Sequence, residues 1–220
     1  MNKYVEYIFS ILKTVYFNFR VFNFKKAIKL PVFISYKMKI LQINKNSIEI
    51  LDKIKTGMIK IGFGGTDVIS SQKGKIKIEK DCKLYFEGKA YLAAGTIICC
   101  ENNSSIRFGR NFASNKNNFF YSRKEIVFGD DNLIGWNVIF RDNDGHKIFY
   151  KEIQKENEKK ICIGNHVWIA SYVDVLKGVT IPNDCIIATR SCVTKEFKKE
   201  KILIGGYPAK IITSEIEWEK

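Results

Sequence analysis

The sequence predicts a mainly β fold: a parallel β-helix of stacked short strands, with a helical segment in front and one protruding loop. Three observations carry that expectation. From Ile163 onward an aliphatic side chain returns every six positions, at Ile163, Ile169, Val175, Ile181, Ile187 and Val193. Four residues after each aliphatic stands a compact side chain, at Val167, Val173, Val179, Cys185 and Ser191, and Gly164, Ala170 and Ala188 take the position just after it. A polar stretch, RDNDGHKI and then KEIQKENEKK, breaks this register between Phe140 and Ile163. The spacing suits a coil of three short strands with tight corners, whose aliphatics point inward onto the coils above and below. One coil buries too little alone, so stacking is obligatory.

The elements follow in order. Between Tyr4 and Phe24, apolar residues at Tyr4, Ile8, Ile11, Leu12, Val15, Tyr16, Phe19 and Phe22 have helical spacing. Two readings of this helix stand: its greasy face packs on the main domain or a neighbouring subunit, or it lies in a membrane interface with basic side chains at the head groups. Packing is the commoner fate of such helices, while the many Phe and Tyr keep the interfacial reading open. Pro31 ends helical character, and an extended segment follows. From about Ile59 the Ile and Val content rises, and the repeat register shows at Phe128, Ile134 and Phe140, with Gly129 and Gly135 behind the first two and a beginning at Ile78 and Leu84. Between 85 and 127 the register is loose, with Asn102–Ser105 and Asn115–Asn118 read as corners or insertions. The expected organisation is therefore a basic amphipathic segment over 1–40, a β-helix domain over 41–200 with 141–162 inserted as a loop, and a tail over 201–220. Polar loops pushed out of a repetitive scaffold tend to carry function.

Composition narrows the function classes. Lys3, Glu6, Lys13 and Arg20 break up the apolar N-terminus, which leaves no apolar run long enough for a membrane span and makes a secretory signal a poor fit. The expected location is the cytoplasm, at the inner face of the membrane if 1–40 is interfacial. The six cysteines have neither paired nor zinc-ligand spacing, so buried thiols are expected. Residues 1–40 hold eight Lys or Arg against the single acid Glu6, which is half of the net charge of +14. That excess favours an anionic partner. No nucleic-acid-binding signature accompanies it, so nucleic acid is not expected.

The segment VWIASYVDVLKGVTIPNDCIIATRSCVTKEF (Val167–Phe197), followed by IGGYPAKII (Ile204–Ile212), resembles the hexapeptide-repeat acyltransferases, and the resemblance runs over roughly 75–210. It implies a left-handed parallel β-helix. Nothing in the spacing demands that hand, since parallel crossovers are otherwise nearly always right-handed. Within the family the chain looks most like polysaccharide and sugar O-acetyltransferases, some of which have a leader similar to FNFKKAIKLPVFIS (Phe22–Ser35). The resemblance implies acetyl transfer from acetyl-coenzyme A, without a metal, to a sugar hydroxyl of a cell-surface polysaccharide or its precursor, an anionic or lipid-linked carbohydrate being the acceptor suggested by the basic surface. It also implies a homotrimer, its flat faces closed around an axis and its sites formed where a loop of one subunit meets the coenzyme groove of another.

His146 is the expected catalytic base. It lies in the polar loop behind Asp142 and Asp144, and the family carries its base in a similar D-x-D-x-H loop. Imidazole titrates close enough to neutrality to take the proton of an attacking hydroxyl and pass it to a departing thiolate. Asp144 or Asp142 would orient the ring; the sequence does not choose between them, and Asp also caps turns for purely local reasons. The other histidine, His166, is read as structural, on the solenoid surface. The resemblance sets Trp168 against donor or acceptor, a plain packing role being the alternative. It assigns Ala170, Ser171 and Thr189 to the pantetheine arm, and Thr194, Lys195 and Lys210 to the nucleotide end, where lysines serve as mobile charges for phosphate. Backbone amides near Ala170 would hold the oxyanion. Tyr172 and Arg190 depart from the small residues usual in the family, which implies a locally reshaped groove.

Three other functions compete. A zinc enzyme on the same scaffold needs three histidine ligands, and the chain has two histidines. N-acetylation of a nucleotide-linked amino sugar would use the same base and donor site. A catalytically inactive binding module is opposed by the loop histidine standing beside a coenzyme motif.

Overall fold

The computed structural model describes residues 3–219. The chain winds into a left-handed, three-faced parallel β-helix. Its first face runs from Val32–Ile34 through Ile59–Ile61, Ala90–Leu92, Phe112–Ser114, Leu133–Ile134 and Trp168–Ile169 to Ile186–Ile187. The second runs from Lys39–Gln42 to Cys192–Val193, and the third from Ile48–Ile50 to Thr180–Ile181. Each strand pairs in parallel with the strand one coil away. The solenoid therefore starts at Val32, ahead of the expected boundary at 40, because Pro31 frees the chain to run extended at once.

Every residue of the two sequence columns from Ile163 to Val193 points inward and is buried. Here one coil is three repeats of the sixfold period, since Trp168 pairs with Ile186 and Asp174 with Cys192. The loose register upstream has a geometric cause. Lys75 pairs with Ile97 and Ile97 with Phe119, so each coil there is longer than three such repeats. A longer perimeter encloses a wider interior, and phenylalanine fills it. Phe86, Phe108 and Phe128 stack along the third face at 5.1 and 5.6 Å, and Phe120 stacks on Phe140 at 5.2 Å. Where the coils shorten, the same slots hold Ile163 and Val175. Asn102, Asn103 and Asn117 turn the wider corners in the left-handed backbone region that asparagine tolerates. The cysteines are all free; Cys82, Cys100, Cys185 and Cys192 are buried, while Cys99 and Cys162 are half-buried.

The N-terminal helix α1 (Lys3–Val21) covers the open edge of the first strand. Its contact is a polar ladder. Ser10 Oγ accepts from Tyr36 N, Thr14 Oγ1 accepts from Ile34 N and donates to Ile34 O, and Asn18 both accepts from Val32 N and donates to Val32 O. Four residues of helix rise about 6 Å and two residues of strand about 6.6 Å, so the two lattices stay in step over three rungs. Phe17 and Val21 plug the interior beside this ladder. The expectation of a greasy face against the domain needs correcting: the stripe turned to the solenoid is largely polar, and Ile8, Phe9, Ile11, Leu12, Val15, Tyr16 and Phe19 remain exposed. No helix among the described residues is long and apolar enough to cross a membrane. At the far end, strands Ile202–Gly206 and Ala209–Ser214 form an antiparallel hairpin that completes the first face.

Phe108 touches Phe86, Phe112, Phe120 and Phe128 at the centre of the wide coils. Phe108→Ala is expected to destabilise the fold by about 3–5 kcal/mol, as measured by chemical denaturation. Unchanged stability would mean that the wide coils do not depend on aromatic filling.

Candidate functional site

The polar loop leaves the second face after Arg141 and rejoins the third at Ile161. Asp142 sits fully buried where it departs. Its carboxylate accepts from Ser122 Oγ at 2.7 Å, from the backbone N–H groups of Arg123 and Lys124 at 2.8 and 2.9 Å, and from Asn143 Nδ2 at 3.1 Å. With its lone pairs spent on the corner of the coil below, Asp142 anchors the loop. Asp144 is held differently: Lys177 Nζ donates to its carboxylate and, at 2.6 Å, to Glu156 O on the returning limb. The Asp144 backbone N–H donates to Asn157 O, and beyond this clasp Phe149–Tyr150 and Ile153–Gln154 form a two-stranded hairpin. Neither carboxylate bonds to the His146 ring.

His146 is exposed on the turn that follows Gly145. Gly145 has φ +80°, a backbone conformation that side-chain-bearing residues rarely adopt, and the Arg141 guanidinium lies against it. His146 lines a cleft of about 840 Å³ between the loop and the Asn102–Asn103 corner, together with Lys147 and Lys155. Other charges of the cleft are paired: Lys124 with Glu156, whose carboxyl it holds below its ordinary range, and Arg123 with Glu158.

A second cavity lies at a different corner. An apolar groove of about 740 Å³ runs along the edge between the first and second faces, where Trp168, Ala170, Ser171 and Thr189 meet Trp136 and Leu203. Four of the residues expected at the coenzyme thus share one groove. Ser171 Oγ accepts from Trp136 N at 3.2 Å, and Thr189 Oγ1 donates to Ser171 O at 2.7 Å, so these hydroxyls also tie the corners together. The Ala170 N–H itself donates to Ile187 O. Thr194, Lys195 and Lys210 are exposed outside the groove lining, Lys195 with its ammonium 5.7 Å from the Phe197 ring. Tyr172 and Arg190 occupy left-handed corner positions at φ 60° and 58°, and the guanidinium lies 5.1 Å from the phenol ring, outside the groove lining. His166 is structural in its contacts: its Nδ1 lies 2.8 Å from Asp184 Oδ1 and its ring stacks on Trp218 at 4.2 Å.

Several residues emerge here that sequence reasoning missed. Trp136 lines the groove, and its indole N–H is buried with no hydrogen-bond partner among the described residues. Asn115 bounds the groove and fastens an insertion over 62–74 through the N–H of Thr66. Lys177 clasps the loop, though in sequence it is one lysine among many. Asp174 stands on the second face in register with Ile139 and Cys192, and burial pushes its carboxyl up; an acid inside VDVL is its signal. No group of three or more His, Cys, Asp or Glu among the described residues could hold a metal ion.

No family model matches the chain. It is 36% identical over 112 residues to a galactoside O-acetyltransferase of Escherichia coli K12, covering 50% of this chain and 54% of that protein. It is 27% identical over 147 residues to a polysialic acid O-acetyltransferase of Escherichia coli O1:K1, covering 66% and 45% respectively. Among solved structures, a hexapeptide-repeat-containing acetyltransferase of Vibrio cholerae complexed with acetyl-coenzyme A superposes with TM-score 0.50 at 28% identity, over 61% of this chain and 70% of that one. The chain spans about half the length of these curated relatives.

The clasp is testable without any substrate. Lys177→Ala is expected to raise backbone hydrogen exchange over 144–157 by about tenfold or more while leaving the stacked coils protected, since it removes a charged hydrogen bond to each limb. Unaltered exchange in that segment would show that the loop is held by something else.

Proposed function

We propose that this β-helix, similar to a galactoside O-acetyltransferase and to a hexapeptide-repeat-containing acetyltransferase, moves an acetyl group from acetyl-coenzyme A to a carbohydrate hydroxyl. The observation that carries the reading is the pairing of two half-sites, a loop presenting an exposed histidine and an apolar groove lined by Trp168, Ala170, Ser171 and Thr189.

In this mechanism the pantetheine arm lies along the groove against Trp168 and Trp136, whose rings give it apolar contact. His146 takes the proton of the acceptor hydroxyl as that oxygen attacks the thioester carbonyl carbon. The tetrahedral intermediate collapses with loss of the C–S bond, and the imidazolium returns the proton to the thiolate, giving the sugar ester and free coenzyme A. Asp142 and Asp144 position the ring indirectly, one by anchoring the loop and the other by closing it on Lys177. Exposed Thr194, Lys195 and Lys210 remain candidates for the phosphates, which suit an open, cationic surface better than an apolar groove.

The loop and the groove belong to different corners of one prism, with the second face between them, so the complete site requires two chains. A homotrimer with parallel prisms supplies that arrangement. Lys147 and Lys155 beside His146 favour an acidic glycan as acceptor, in keeping with a cell-surface polysaccharide or its precursor.

Thiol release from acetyl-coenzyme A with a panel of glycan acceptors tests this reading. His146→Ala is expected to lower turnover by about 10²–10⁴-fold without altering the melting temperature. Equal turnover by both proteins would remove the base from the mechanism.

A further inference from the structure

The polar ladder that fastens α1 to the first strand leaves the opposite face of the helix without a partner. Ile8, Phe9, Ile11, Leu12, Tyr16 and Phe19 form a continuous exposed apolar surface, with Leu12 83% exposed, and Phe24 and Ile28 extend it past the helix. Among these side chains and at the same end of the solenoid stand exposed Arg20, Lys25, Lys29, Lys37 and Lys39. The one acid of this segment, Glu6, is engaged by Ser35 and Lys37. A contiguous apolar surface of this kind marks an interface.

We propose that this face docks peripherally on an anionic phospholipid bilayer, setting the base of the solenoid on the membrane. Three features select that occupant. The aromatic residues Phe9, Tyr16, Phe19 and Phe24 suit the boundary between head groups and acyl chains. The basic side chains match an anionic surface, whereas two copies meeting face to face would oppose their cationic rims. Between the helix and the first face lies an apolar cavity of about 340 Å³, lined by Tyr7, Ile8, Ile11, Leu30, Phe33 and Phe63, which offers room for part of an acyl chain beside the docked face.

Docking also fixes the height of the chemistry. The histidine loop leaves the fifth coil, four strand spacings or about 19 Å above the first, and α1, about 10 Å thick, lies beneath the first coil, so His146 would act on material held at the membrane by a tether spanning about 30 Å. In the proposed trimer, on which this one point rests, three parallel prisms would present three such helices to one plane, and their binding would reinforce.

Cosedimentation of the full chain with vesicles tests the proposal without acetyl-coenzyme A, so its outcome is independent of the catalytic reading. The protein is expected to pellet with phosphatidylcholine vesicles containing phosphatidylglycerol, weakly with phosphatidylcholine alone, and less as salt rises. Leu12→Asp is expected to reduce that binding about tenfold or more at an unchanged melting temperature. Arg20→Glu should weaken binding to the anionic vesicles only. The proposal is overturned if the wild type does not pellet, if Leu12→Asp pellets like wild type, or if Leu12→Asp lowers the mass in solution, which would mean that a second copy covers the face. Thiol release onto a soluble acceptor by Leu12→Asp should match the wild type.

Discussion

Vertical stacking of inward side chains is the constraint from which the rest of this molecule follows. A single coil has no core, because its three short strands enclose only one layer of residues, and that layer becomes buried when another lies above and below it. The parallel ladders satisfy the backbone along the same axis, so the faces have no spare polar groups and the corners become the only places where the chain can leave. The polar loop departs at such a corner. Asp142 shows how the departure is stabilised: an inward column that reads Ile78, Cys100 and Ser122 on earlier coils ends in a carboxylate that takes both N–H groups and the hydroxyl of the corner beneath it.

Stacking creates a problem at each end, where an edge strand faces water with unpaired groups. The two ends solve it differently. The C-terminal end folds a strand back antiparallel, which pairs the edge with backbone. The N-terminal end uses side chains of a helix, because residues four apart on a helix match residues two apart on a strand. A consequence is that the helix cannot also turn its apolar face inward. The edge claims the Ser10, Thr14 and Asn18 stripe, and most of the large apolar side chains are left outside.

How legible the fold is in the sequence depends on the scale of the regularity. The coils from Ile163 to Val193 are readable because each divides evenly into three sixes and the interior is narrow enough for Ile and Val throughout. Upstream the sixfold register is legible at Phe128, Ile134 and Phe140 but is lost between 85 and 127, because the longer turns there do not divide that way and inward Phe86, Phe108 and Phe120 resemble surface aromatics until the wider perimeter is known. The loop and its histidine are legible as an interruption. The separate employments of Asp142 and Asp144 are not, since they depend on Ser122 and Lys177, distant in sequence and neighbouring only after coiling. The helix shows in its apolar period, whereas its orientation does not, because the polar stripe gains meaning only beside an unpaired strand.

The histidine loop and the apolar groove also share a level. The loop leaves the fifth coil, and the groove is lined by the corners of the fifth, sixth and seventh at Gly135, Ser171 and Thr189. They differ in azimuth around the prism and hardly in height along it. A rotation about an axis parallel to the solenoid brings the loop of one chain toward the groove of the next without moving it up or down. Any added translation would carry the loop past the groove by one coil for each 4.8 Å or so of rise, and would open the ring into a filament. The proposed trimer of parallel prisms would therefore let every loop meet a groove at one level, and would send all the N-terminal helices to one side.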